Sequence, residues 1–365
     1  MSTKNVWGKL KRYSPLAMAA LLVLLLSLTT SRASAQAGID GPLLERLTVT
    51  GQYGTVVGGA GLVATGINSL TMTVPGTRIE AAYLYWAGTG VDEVGDNEIT
   101  FQVNANAPQS LTADHIYGPS FWYLNPFYHH VFVRDITSLA QLGTHTYTMS
   151  DYTVSGPIDS ALAYGFGIVV VYEDPTLNTR TIVLKDGLDS VWFGFDEPRD
   201  SPSSVNCMTF EANLTSPRVM DFYVFVGGSA DSIAEDRPNR LHYIVGSGTV
   251  PTQVVGAPGS VAIQDPFTSA DGRSWDTYRQ MGVVIPAGST YVCLQTESVE
   301  GFEPTGASFL WLMGGFTLKN ETPTAVSLAT ITANNPMALP AVAVTLALVL
   351  FSGITGLLVT RRQRL

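Results

Sequence analysis

The sequence predicts an all-β body of two antiparallel, jelly-roll-like β-sandwiches followed by one C-terminal transmembrane helix. Three observations carry this expectation. Short segments rich in Val, Ile, Thr, Tyr and Phe recur between Gly38 and Asn320, each bounded by Gly, Pro, Asn or Asp. Some of them alternate apolar and polar residues, and no stretch there sustains a helical period beyond two turns. The body, about 285 residues, is large for a single sandwich. Finally, segments of its first half reappear in order in the second.

The strand signals run in order through RLTVTGQYG, SLTMTV, RIEAAYLYWAG, EITFQV, HHVFVRDIT, THTYTMSDYT and GFGIVVVYED. They continue through CMTFEANL, RVMDFYVFVGG, LHYIVGSG, RQMGVVIP, STYVCLQTES and FLWLMGGFTL. Single helical turns are expected at Ile136 to Leu142 and Ser232 to Arg237. Strands of this length without intervening helices argue for antiparallel sandwiches over βαβ units. The repeat relates Tyr83 to Tyr223 and Gly88 to Gly228 at an offset of 140 residues. The segment from Arg134 then matches that from Trp275, and GFGIVVVYED matches FLWLMGGFTL. Three matches in one order point to duplication, against the competing view that sandwich strands all look alike. The expected organisation is 36–180 for the first sandwich and 181–322 for the second.

Composition narrows the class. Of 365 residues, 45% are hydrophobic and 14% charged, so there is ample material for a core and no signature of disorder. Two cysteines exclude a disulfide-dense mini-scaffold and a four-cysteine zinc module. The ends read as an export address. Lys4, Lys9, Lys11 and Arg12 precede the apolar run Leu16 to Leu28, and Ala33-Ser34-Ala35 offers a cleavage site, so 1–35 is expected to be a signal peptide. At the other end 323–336 is an uncharged spacer, 337–360 an apolar span long enough to cross a bilayer, and 361–365 a basic tail left in the cytoplasm. Ser352 and Gly356 form a small-xxx-small pair within the span. The termini hold eight of the 20 basic residues and none of the 30 acidic ones, which leaves the body at −18. Such a surface repels nucleic acid and attracts cations.

The segments AAYLYWAGTG, VRDIT, GIVVVYEDP and LKDGL together resemble modules of uncharacterised exported bacterial surface proteins, over roughly Leu70 to Leu318. Such modules accompany adhesin-type repeats and C-terminal anchors. The resemblance implies a β-sandwich surface module and no known activity. The tail resembles bacterial sorting tails but holds no LPxTG, so a retained membrane anchor is expected.

A search for chemistry is mostly negative. GxSxG, HExxH, CxxC, GxxxxGK[ST] and GxGxxG after a strand are all missing from the sequence. His129 and His130 are adjacent in a strand and so face opposite sides; His115, His145 and His242 are isolated. Carboxylates are numerous enough for a glycosidase pair. Cys207 and Cys293, an even count in an exported body, favour a disulfide over two buried thiols. Phe121, Trp122, Tyr123, Phe127 and Tyr128 flank an Asn-Pro turn, and displayed aromatics of this kind suit sugar rings; packing of the loop onto the sandwich is the competing reading. Trp192, Phe193 and Phe195 form a second such group. Two acidic loops are candidate calcium sites: Asp92, Glu93, Asp96 and Glu98 in the first half, and Asp231, Glu235 and Asp236 in the second. Calcium accepts irregular oxygen cages, although neither loop has EF-hand spacing and both also read as solvated acids. The expected function is a non-catalytic structural or adhesive surface protein anchored in the membrane. A carbohydrate-binding module is the alternative, and a surface glycosidase the less favoured one. Surface glycans or other surface proteins are the expected partners, with no nucleic acid.

Overall fold

Eighteen strands make up the described part of the chain, and no α-helix occurs among the described residues. The computed structural model describes residues 40–63, 65–121, 127–156, 162–194, 201–229, 238–299 and 308–320. The expected signal peptide, spacer, transmembrane span and basic tail lie outside them. The strands are β1 (Leu44–Gly51), β2 (Tyr53–Gly61), β3 (Asn68–Val74), β4 (Arg78–Gly90), β5 (Glu98–Val103) and β6 (Gln109–Thr112). They continue with β7 (His115–Phe121), β8 (Tyr128–Asp135), β9 (Gly143–Ser150), β10 (Leu162–Glu173), β11 (Arg180–Val191) and β12 (Asn206–Thr209). The last six are β13 (Arg218–Gly227), β14 (Asn239–Gly246), β15 (Val261–Gln264), β16 (Trp275–Ile285), β17 (Tyr291–Ser298) and β18 (Phe309–Lys319). The turn expected after Ile136 is present: Leu139 N and Ala140 N both donate to its carbonyl. Its counterpart at Ser232 to Arg237 lies outside the described residues.

These strands form four antiparallel sheets. Two belong to the first half, in orders β2-β10-β4-β8-β7 and β3-β9-β5-β6. Two belong to the second, in orders β1-β11-β18-β13-β16 and β12-β17-β14-β15. Setting aside β1 and β7 at the edges, the orders coincide. The run β2-β10-β4-β8 corresponds to β11-β18-β13-β16, and β3-β9-β5-β6 to β12-β17-β14-β15. The first strand crosses over: β1 pairs with β11 from Leu44 to Gly51, then the chain turns at Gln52 and β2 opens the other half.

Three cores separate four layers. In the first, Leu84, Trp86, Phe132 and Ile168 pack on Phe101, Tyr147 and Met149 of the outer sheet. In the second, Phe222, Val224, Phe309 and Trp311 pack on Leu241, Val292 and Leu294. The third lies between the two five-stranded sheets, where Tyr85, Val169 and Val171 meet Phe225, Trp275, Leu310 and Leu312. Strand geometry explains how β4 serves two cores. Successive side chains point to opposite faces, so Leu84 and Trp86 enter the first core while Tyr85 and Ala87 enter the seam.

Glycines let the seam close. Trp275 is fully buried and lies against the backbone of β2 and β10. A Cβ at Gly59 would stand 2.1 Å from its Nε1, and one at Gly167 would stand 2.7 Å from the ring of Phe225 and 2.9 Å from that of Trp275. Gly167→Val is therefore expected to lower stability by about 1–3 kcal/mol through overpacking. A chemical-denaturation midpoint equal to wild type would show that the seam has spare room.

Candidate functional site

The two groups of residues that the sequence singles out in the first half meet at one end of the first sandwich. Residues 91–97 link β4 to β5, and the register of β4 on β8 sets Gly90 opposite Tyr128. The loop is built by its own carboxylates. Asp92 Oδ1 accepts from Val94 N at 2.9 Å, an Asx turn. Gly95 follows with φ +67°, the left-handed region that favours glycine. Asp96 then ties the loop to the segment after β9. Its Oδ2 accepts from Thr153 N at 2.9 Å and Thr153 Oγ1 at 2.6 Å, and its Oδ1 from Glu98 N at 3.2 Å. Glu98 Oε1 accepts from Ser110 Oγ on β6.

Glu93 joins the acidic loop to the aromatic segment. Its Oε1 accepts from Tyr128 Oη at 2.8 Å, and its carbonyl accepts from His130 Nε2 at 2.9 Å. The Tyr128 ring lies against that of Phe121 with centroids 4.8 Å apart, and Phe121 is 49% exposed. Phe127 is half-buried. Trp122, Tyr123, Asp231, Glu235, Asp236 and Phe195 lie outside the described residues. Trp192 and Phe193 pack edge to face on each other at 5.4 Å.

Between the acidic loop and the segment after β9 is a cavity of about 250 Å³ lined by Gly88, Gly90, Asp92, Asp96, His130 and Tyr152. That is room for about eight waters, or one small ring-shaped polar molecule. His130 and Tyr152 were not singled out for this site in the sequence. The signal for His130 was its place two residues after Tyr128, on the same strand face. Burial lowers the His130 pKa, with the Glu93 carbonyl opposing, so the ring is neutral near pH 7. With Nε2–H given to Glu93, its Nδ1 is left as an acceptor. Burial holds the Tyr152 phenol well above the usual range, so it stays protonated. The lining thus offers carboxylate and imidazole acceptors beside a phenolic donor, a set suited to hydroxyl groups. Among the described residues no three His, Cys, Asp or Glu side chains converge as metal ligands.

Three of the remaining histidines are engaged in the fabric of the sheets, and His115 is exposed on β7. His129 points the other way from His130, to Ser190 Oγ at 3.3 Å and Tyr164 Oη at 3.5 Å. His145 bonds Asn104 and the Leu142 carbonyl, each at 2.8 Å, and His242 bonds Glu297 at 2.9 Å. Cys207 and Cys293 form a disulfide between directly opposed positions of β12 and β17.

No family model matches the chain, and no curated protein does. Among solved structures it is similar to infectious bursal disease virus, Gx strain, at 11% identity over 79% of this chain and 76% of that one, TM-score 0.25. It is also similar to Sulfolobus Turreted Icosahedral Virus, at 12% identity over 71% and 91%, TM-score 0.22. A third is PNGF-II, at 11% identity over 75% and 66%, TM-score 0.22. Likenesses at this level carry no argument about activity.

Proposed function

We propose that this chain is an exported surface protein, anchored by residues 337–360, with a structural or adhesive and non-catalytic role. Its body in this reading is a tandem of two jelly-roll sandwiches that arose by duplication. The observation that carries the reading is the Cys207–Cys293 bridge. Disulfides of this structural kind persist where the surroundings are oxidising. An export signal at one end and a stop-transfer span at the other put the body in such a place. The coincident strand orders of the two halves support duplication. Deleting residues 337–365 is expected to release the protein into the medium, because the sequence after residue 35 holds no other apolar run of bilayer length. Retention of the truncated protein in salt-washed membranes would overturn the anchored topology.

A second reading, glycan binding at the end of the first sandwich, is favoured by the half-exposed Phe121, which packs on the Tyr128 that bonds Glu93 of the acidic loop. The soluble fragment 36–322 is expected to retain glycans on an array, and Phe121→Ala to weaken that retention about tenfold, within the 1–3 kcal/mol range of a lost aromatic stack. An array with no signal above background would remove this reading and leave the first untouched.

A further inference from the structure

We propose that Lys185 and Asn206 form an intramolecular amide cross-link between the two sheets of the second sandwich, with Asp189 transferring the proton. Lys185 stands on β11, directly across the ladder from Gly314 of β18. Asn206 stands on β12, in the facing sheet, and its Nδ2 fills the place a side chain at Gly314 would take: a Cβ there would lie 2.3 Å away. The carboxamide is therefore set down beside Lys185. Asn206 is 3% exposed, and neither its Oδ1 nor its Nδ2 has a hydrogen-bond partner. A buried amide with both ends unsatisfied is costly and rare, and calls for an explanation.

Two side chains of β11 reach the chain on either side of that amide. Lys185 Nζ donates to the Cys207 carbonyl at 2.5 Å, one residue beyond Asn206. Asp189 Oδ2 accepts from Ser204 N at 2.8 Å, two residues before it. The lysine thus spends its proton on a neutral carbonyl rather than on a carboxylate. Burial lowers its amine from the ordinary value, and burial with the nearby Asp40 charge pushes the Asp189 carboxyl up to about 7. Both shifts run toward the free amine and the protonated acid that transamidation needs, with the Glu45 charge opposing the first.

The step balances without a cofactor. The uncharged Nζ attacks Asn206 Cγ, the Nζ–Cγ bond forms and the Cγ–Nδ2 bond breaks. Asp189 gives its proton to the departing nitrogen and takes one from the lysine nitrogen. The products are a secondary amide and ammonia, and nothing is oxidised or reduced.

Mass spectrometry of the full-length protein, reduced and denatured, tests the proposal. The chain is expected to be lighter than the sequence mass of the processed polypeptide by one ammonia, about 17 Da. A tryptic digest is expected to contain one branched peptide joining Lys185 to Asn206. Lys185→Arg should restore the full mass, Asn206→Asp should keep the branch by losing water instead, and Asp189→Ala should restore the full mass. A wild-type chain at the unmodified mass of the processed polypeptide, cleaved by trypsin after Lys185, overturns the proposal whether or not any variant folds. So does an ammonia loss confined to the Asn206 peptide with no branch, which would be a succinimide.

Discussion

Asp186→Ala is expected to lower the unfolding free energy by about 3–5 kcal/mol, the cost of removing one partner from a buried ion pair. Asp186 is 1% exposed and lies in the seam between the two halves. Its Oδ2 accepts from Arg46 Nε at 2.7 Å and Tyr85 Oη at 3.0 Å. Its Oδ1 accepts from Tyr117 Oη at 2.7 Å and Arg46 Nη2 at 3.2 Å. Arg46 and Asp186 come from β1 and β11 of one inner sheet, Tyr85 and Tyr117 from β4 and β7 of the other. The carboxylate therefore binds four strands across the seam. Truncating it leaves a largely buried guanidinium and two phenols without their acceptor. Tyr85→Phe and Tyr117→Phe remove one donor each and leave the ion pair whole, so each should cost about 0.5–1.5 kcal/mol. Urea unfolding of the three variants measures this. A loss below 1 kcal/mol for Asp186→Ala would mean that the seam is held by its apolar contacts alone.

How far these features were legible in the sequence follows from burial. The strands β4, β10, β13 and β18 read as continuous apolar runs because they belong to the inner sheets and are buried on both faces. The alternating β3 and β5 belong to outer sheets with one face toward solvent. The three repeated segments lie on strands that occupy equivalent places in the two halves: β4 with β13, β8 and β9 with β16 and β17, and β10 with β18. The sequence did not reveal β11 as a strand. Lys185, Asp186 and Asp189 interrupt its pattern, and their burial makes sense only with partners such as Arg46, 140 residues away. Nor did it reveal β2, whose four glycines dilute the pattern, or the short β6, β7 and β15, each too brief or too polar to show a period. At the candidate site, the acidic loop and the aromatic segment were each visible. Their union through Glu93 and Tyr128, 35 residues apart, is a product of the β4–β8 register. The cysteine pair was legible by count alone, since the chain has only two.

Asp189 is expected to give the protein a stability that falls as pH rises from 4 to 7. Its carboxyl is 6% exposed, and burial, reinforced by the neighbouring Asp40 charge, pushes it from the ordinary 3.8 up to about 7. Between those values the folded chain holds a proton that the unfolded chain has released. Raising the pH therefore favours unfolding, by at most about 1.4 kcal/mol for each unit of pH. The loss is complete above 7 and absent below the unfolded value, with a total of about 4 kcal/mol at most. Asp271 and Asp276, also raised by burial, act in the same sense, whereas Glu297, lowered by its bond to His242, acts in the opposite one. The comparison that isolates Asp189 is thus between wild type and Asp189→Asn, whose carbonyl still accepts from Ser204 N but does not titrate. Denaturant unfolding at intervals from pH 4 to 8 should show a steep decline for wild type and a decline flatter by about 4 kcal/mol over the range for Asp189→Asn. The slope with pH is the readout, because a cross-link that does not titrate shifts each curve without tilting it. Asp40→Asn removes the second cause and lowers the folded value, so its decline should begin where that of wild type begins and end below 7. Parallel curves for wild type and Asp189→Asn would show that this carboxyl is ionised in the folded protein throughout the range.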